Sequence, residues 1–298
     1  PETLYDAARH LPSAGGKRFR PVLAFLSCEA VKGDVVKVIP LSIALELIHN
    51  FTLVHDDIMD KSKLRRGLPA VHIKFGEPTA IIAVDLLFTK SFESMHNIID
   101  DLSIFKNVEY GLIDCIREIC EGQQLDIEFE KRKIVSEEEY IEMIRKKTAV
   151  FFQYAAEAGT ILGGGTKEQA NALNEYGVSI GLGFQIWDDY LDISSDETTL
   201  GKDIGNDIRN GKKTLIACHC LSHASRDDKK ILEKIKRVLK KKLDASLNRV
   251  RETSSGKDKA AERRAREEMR KYAKELYALT EQVKEMNNGE LPKGWWDD

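Results

Sequence analysis

Residues 41–60 read LSIALELIHNFTLVHDDIMD. The first fifteen residues are apolar on most sides of a 3.6-residue wheel. That pattern predicts a helix buried within a bundle of other helices rather than one lying on a surface. The stretch then closes on three carboxylates, Asp56, Asp57 and Asp60, within five positions. On a helix Asp56 and Asp60 are i and i+4, and Asp57 is i+3 from Asp60, so the three share a face within about one turn. Much later WDDYLD, residues 187–192, repeats the spacing with Asp188, Asp189 and Asp192.

The rest of the chain is also helical in pattern. Only seven prolines occur among 298 residues, and no region sustains the period-two alternation of strands. Ser136 with Glu139 reads as a capping box opening a helix that runs toward Leu162, where Gly163, Gly164 and Gly165 end it. Thr166 with Gln169 repeats the box for a helix that passes Gly177 and Gly181 into WDDYLD. Glycines at i, i+4 cost helix propensity, so that pair predicts a close helix approach. From about Ser225 the chain is strongly charged, with a turn at ETSSGKD, 252–258, and its lysine runs read as solvated helix faces with i, i+4 pairs. No solenoid repeat and no linker is evident. The expectation is one all-α domain over 1–298, with a chain opening on Pro1 that lacks its natural start.

Composition excludes several classes. Hydrophobic residues make up 42% and charged residues 32%, the profile of a soluble globular protein. A net charge of −3 gives no basic field for nucleic acid. No apolar run reaches the ~18 residues of a membrane span, and no signal segment opens the chain. Five scattered cysteines without a CxxC read as reduced thiols of a cytoplasmic protein. The tract CHCLSH, 218–223, raises zinc as an alternative, but its Cys-x-Cys spacing on a helix suits a tetrahedral site poorly.

Six aspartates at the ends of two apolar helices need cations, because a buried unpaired carboxylate carries a penalty of several kcal/mol (an order-of-magnitude figure). Carboxylate oxygens suit Mg²⁺, which is held by one or two carboxylates, waters and substrate phosphates. The spacing fits neither a glycosidase pair, nor an EF-hand loop, nor the Glu-x-x-His pairs of di-iron bundles. GGKRFRP, 15–21, lacks the Ser/Thr of a Walker A loop. Basic clusters accompany the acids: Gly15, Gly16, Lys17, Arg18 and Arg20; Arg65 and Arg66; Lys146, Lys147 and Thr148; and Lys202, Lys212 and Lys213 within GKDIGNDIRNGKKT, 201–214. Arg forks and Lys point charges both bind phosphate. The combination points to two diphosphate ligands, one held through Mg²⁺ and one held directly.

The ordered set GGKRFRP, ELIHNFTLVHDDIMDKSKLRRGLPAVH, GQQLD, KKTAVFFQYAAEAG, GLGFQIWDDYLD and GKDIGNDIRNGKKTL resembles the trans-type polyprenyl diphosphate synthases, most of all geranylgeranyl diphosphate synthases of the archaeal kind, over about residues 10–220. The resemblance implies an all-α multi-helix isoprenoid-synthase bundle around a central cavity, usually a homodimer, and a transferase of isoprenoid lipid biosynthesis. It implies head-to-tail condensation: an allylic diphosphate ionises with the help of Mg²⁺, several ions per site, the double bond of isopentenyl diphosphate attacks the cation, and a proton is lost. Carried onto this chain, it makes Asp56, Asp57, Asp60, Asp188, Asp189 and Asp192 the metal ligands. It assigns Lys17, Arg20, His49 and Arg66 to isopentenyl diphosphate, Arg65, Lys147, Lys202 and Lys212 to the allylic diphosphate, and Thr148 and Gln185, with Lys147, to the neighbourhood of the developing cation. It makes Phe51, five positions before Asp56, a floor under the growing chain, with small Thr52 beside it, the pattern that stops at twenty carbons. Periodicity does not show this, since Thr52 lies nearer the aspartate face than Phe51 does.

Two departures stand out. Val84 in AVDLL, 83–87, replaces the family's usual Gly, and the chain ends in GWWDD without the basic tail of some relatives. Farnesyl or longer-chain synthesis is the alternative within the class. A class I terpene cyclase is disfavoured by the second DDxxD together with Lys17, Arg20 and His49, and a non-catalytic partner subunit by the completeness of both triples.

Overall fold

The computed structural model of the chain is described here over residues 1–96, 102–132, 134–194 and 212–223. Two compact units divide the chain: residues 1–128 with 141–204, and residues 129–140 with 205–298.

The first unit is built of helices. They are α1 (Glu2–Ser13), α2 (Phe19–Ala30), α3 (Ile39–Met59), the short α4 (Val71–Phe75), α5 (Glu77–Met95) and most of α6 (Leu102–Lys131). Next come the end of α7 (Glu137–Ile144), a π turn over Arg145–Ala149, α8 (Val150–Leu162) and α9 (Lys167–Ser194). The all-α class expected from the sequence is observed. One small addition is a two-strand ribbon, β1 (Leu64–Arg65) antiparallel to β2 (Leu68–Pro69).

Helix α3 is central. Its Leu41, Ala44, Leu45 and Ile48 are fully buried and join Val108, Leu112 and Cys115 of α6 and Val150, Phe151, Ala155 and Ala158 of α8 in the main core. A second core packs Val54 of α3 against Ala80, Ala83, Val84 and Leu87 of α5 and Ala7, Ala8 and Leu11 of α1. Val84, the departure noted above, is one of its buried residues. By length and composition Val35–Met59 is apolar enough to cross a membrane, contrary to the expectation that no run would be. Its apolar residues line these two cores, as expected of a core helix.

The glycine reading is borne out. A Cβ on Gly177 would lie 2.7 Å from Gln153 Cα, and one on Gly181 would overlap the Ala149 backbone. Glycine at both positions lets α9 lie directly on α8 and the π turn. Both capping boxes form: the Ser136 and Glu139 backbone N–H groups donate to Glu139 Oε2 (3.0 Å) and Ser136 Oγ (3.2 Å). Thr166 and Gln169 pair in the same way at 2.8 and 3.3 Å. The helix opened at Ser136 reaches Leu162 as expected, but through a π turn that no feature of the sequence period announces.

The second unit, as far as described, holds the end of α6, the first turn of α7 and α10 (Leu215–His223). The charged segment from Ser225, ETSSGKD and GWWDD lie outside the described residues.

Candidate active site

The first acidic triple sits at the very end of α3. Ser62 N–H donates to Asp57 O (2.9 Å) and Lys61 N–H to Ile58 O (3.3 Å), with Lys61 left-handed at φ 53°. This Schellman geometry stops the helix one residue past DDIM. The three carboxylates therefore crowd the negative end of the helix dipole, which adds to their mutual repulsion and favours a cation. Asp57 is only 1% exposed. Its Oδ1 accepts from Arg65 Nε (3.0 Å) and Nη2 (2.6 Å), while Oδ2 is buried with no hydrogen-bond partner among the described residues. Burial pushes its pKa up despite Arg65. A hard-oxygen donor left bare beside Asp56 and Asp60 is what a divalent cation would complete.

The ribbon explains RRG. Arg66 and Gly67 both have positive φ, 53° and 74°, across a two-residue loop, the type I′ arrangement that suits a tight hairpin. It turns the adjacent arginines to different targets, Arg65 to Asp57 and Arg66 to the N-terminal segment. Arg66 Nη1 donates to Leu11 O (3.1 Å), to Gly15 O and to Asn50 Oδ1 (3.4 Å).

The second triple lies in the last described turns of α9. Asp189 and Asp192 are buried and Asp188 half-buried. Asp189 Oδ1 accepts from Gln185 Nε2 (2.8 Å), and Gln185 Oε1 accepts from Thr148 Oγ1 (2.8 Å). Gln185, expected on the aspartate face, is thus joined to Thr148, which the π turn delivers. The same turn aims Lys147 Nζ at Asp126 Oδ2 of GQQLD, 2.6 Å away. Gly122 makes this possible: a Cβ there would overlap the backbone of Lys147, so α6 and the π turn meet main chain to main chain. A π turn often marks a functional position.

Glu46 of α3 gathers Arg18, Asn50 and Arg66, the last of which the resemblance assigns to isopentenyl diphosphate. Its Oε1 accepts from Arg18 Nη1 (2.6 Å) and Asn50 Nδ2 (2.8 Å) and lies 4.0 Å from Arg66 Nη2. Arg18 also donates to Gly15 O (2.8 Å) and Pro12 O (2.9 Å). Gly16 at φ 136° carries no Cβ because one would strike Arg18 and Arg66. Arg20 lies over the faces of Phe151 (5.0 Å) and Phe152 (4.5 Å), and its buried Nε has no hydrogen-bond partner among the described residues. Burial lowers its pKa to about 10, so it stays charged at neutral pH. His49 is held neutral: burial first, then Arg20, Arg66, Arg65 and Arg18, drive its pKa well below 6.5. In the ligand-free chain it is thus an uncharged hydrogen-bonding group among four arginines. Lys17 is exposed, 5.6 Å from the Phe19 ring. Lys202 lies outside the described residues, and Lys212 with buried Lys213 belongs to the second unit.

A family description of polyprenyl synthetases matches residues 1–253. The chain belongs to the polyprenyl synthetase family. It is a prenyltransferase. The geranylgeranyl diphosphate synthase of Methanosarcina mazei is 50% identical over 217 residues, covering 72% of this chain and 67% of that protein. The crystal structure of geranylgeranyl pyrophosphate synthetase from Pyrococcus horikoshii Ot3 superposes with a TM-score of 0.75 at 42% identity, covering 97% of this chain and 83% of the other. A polyprenyl synthase from Caulobacter crescentus, solved with calcium and isoprenyl diphosphate, superposes with a TM-score of 0.70 at 31% identity, over 95% and 80% of the two chains.

Phe51, expected to lie under the growing chain, sits on α3. Phe51 is half-buried between the two cores. Its ring contacts Phe88 of α5 at 5.4 Å and His55 at 4.8 Å, and Phe88 contacts Phe92 at 5.1 Å. Phe51, Phe88 and Phe92 thus form a column of aromatics spanning two helices. Thr52 bonds back to His49 O (2.9 Å). Sequence reasoning missed Phe88, Glu46 and Asn50. Glu46 was signalled, being i−3 from His49 and so on its face; Phe88 was not, because its pairing with Phe51 is tertiary.

Proposed function

We propose that this prenyltransferase condenses isopentenyl diphosphate with allylic diphosphates and releases geranylgeranyl diphosphate, a C20 product, as a Mg²⁺-dependent homodimer of the cytoplasm. The observation that carries the C20 reading is Phe51, half-buried about 7.5 Å of helical rise below Asp56 and backed by Phe88. The names of the archaeal relatives support it. Five free thiols accord with a reducing compartment.

The two triples on α3 and α9 would share the allylic diphosphate. Mg²⁺ held there supplies Lewis-acid stabilisation of the departing diphosphate. The protein's own groups do the rest. Lys147 and Arg65 add direct positive charge to the leaving group. The Thr148–Gln185–Asp189 chain fixes uncharged oxygens where positive charge develops on carbon, an arrangement of preset dipoles. Arg20, Arg66 and neutral His49 hold the second diphosphate, with Lys17 at its exposed edge. No covalent nucleophile is required.

The test is incubation of the purified protein with Mg²⁺, labelled isopentenyl diphosphate and each allylic diphosphate in turn, reading product chain length. A C20 product is expected, and longer products from Phe51→Ala. A wild type ending at fifteen carbons, or beyond twenty, would replace the C20 reading with the farnesyl or longer-chain alternative.

A further inference from the structure

The tract CHCLSH forms the end of α10. Its cysteines do not gather: the Cys218 thiol faces the Lys213 carbonyl at 3.5 Å. The histidines do. His219 and His223 are i and i+4, so they project from one face one turn apart, and their rings stack at 4.3 Å with 26° between planes. Two imidazoles at this spacing on a helix are a recurring divalent-metal pair.

A third donor comes from far away in sequence. Glu137, in the first turn of α7 behind the Ser136–Glu139 capping box, places Oε1 2.9 Å from His219 Nδ1 and 3.7 Å from His223 Nδ1. One ligand atom from each residue lies within 4.8 Å of the others. Ligand atoms about 2.0–2.2 Å from a tetrahedral Zn²⁺ sit about 3.5 Å apart, so small side-chain rotations would close the three on one ion. His219 Nε2, the ring nitrogen that does not meet Glu137, is buried with no hydrogen-bond partner among the described residues. His223 Nδ1 shares its neighbourhood with Ser222 Oγ (2.9 Å) and His219 O (3.1 Å).

We propose that Glu137, His219 and His223 form a binding site for one divalent transition-metal ion of the Zn²⁺ class, with the fourth position open to water. Two imidazoles and one carboxylate suit Zn²⁺ or Co²⁺, whereas the all-oxygen aspartate triples suit Mg²⁺. The ion would tie the start of α7 to α10 across 82 residues of chain. All three residues lie in the second unit and none belongs to the proposed catalytic set.

The experiment uses the full chain, stripped with EDTA and returned to excess Mg²⁺ so that the aspartates are occupied. Titrated Co²⁺ is expected to give the visible absorption of a low-coordinate imidazole site, saturating at one ion per chain and displaced by Zn²⁺. His223→Ala and Glu137→Gln should each weaken binding roughly tenfold or more, with circular dichroism confirming that both variants stay folded. Zn²⁺ should raise the melting temperature of the wild type but not of the variants. His223→Asn serves if His223→Ala fails to fold. No Co²⁺ band in the wild type, or a band of unchanged affinity in either variant, would reduce the cluster to a Glu137–His219 hydrogen bond and overturn the proposal.

Discussion

At the scale of single residues, burial decides protonation. His49 is neutral because burial and four arginines oppose its charge. Its folded pKa lies below the unfolded value, so its contribution to stability is fully present above about pH 6.5 and is lost as pH falls through the folded value. His55, whose pKa burial also lowers, acts in the same direction. The melting temperature of the wild type is therefore expected to fall more steeply between pH 7 and pH 5 than that of His49→Gln; parallel curves would show that His49 gains a proton as readily folded as unfolded. Glu46 makes a second case. It anchors Arg18 and Asn50 and steadies Arg66. Glu46→Gln is expected to raise KM for isopentenyl diphosphate several-fold with less change in kcat, read by steady-state kinetics. The acids and most basic positions were legible from residue type and spacing. Which arginine meets which partner was not, because the Arg66–Gly67 hairpin sets that, and the sequence pattern of strands is invisible in a ribbon of two-residue strands.

At the scale of elements, close backbone approach does the positioning. Gly122 meets Lys147, Gly181 meets Ala149 and Gly159 meets Ala24. Alanine is favoured over glycine in a helix by about 1 kcal/mol, yet a methyl group has no room at these contacts. Gly122→Ala is expected to lose about 1–3 kcal/mol of stability and, by displacing Lys147 and Thr148, to slow turnover more than Gly→Ala at an open helix position would. Denaturant unfolding and kcat together check this. An unchanged midpoint with unchanged kcat would mean that α6 and the π turn slide apart freely. The sequence showed the small-residue pair at 177 and 181, and both capping boxes, because these are local signals. It concealed the π turn, since one extra residue in a turn leaves the apolar period nearly intact, and it concealed the Phe51–Phe88 pairing, since the partner lies on another helix.

At the scale of the whole molecule, three carboxylates stand at the end of α3 and three in the last described turns of α9, and cationic side chains lie on α2, the ribbon and the π turn. Removal of Mg²⁺ by EDTA is expected to abolish turnover, and added Mg²⁺ to restore it. The central claim is that both aspartate triples act on one leaving diphosphate, and the most direct measurement is the condensation rate of Asp56→Asn and of Asp188→Asn beside the wild type. Each variant is expected to lose turnover by about three orders of magnitude, equivalent to about 4 kcal/mol of transition-state stabilisation, while its melting temperature stays within a few degrees of the wild type. Either variant turning over at the wild-type rate would contradict the claim.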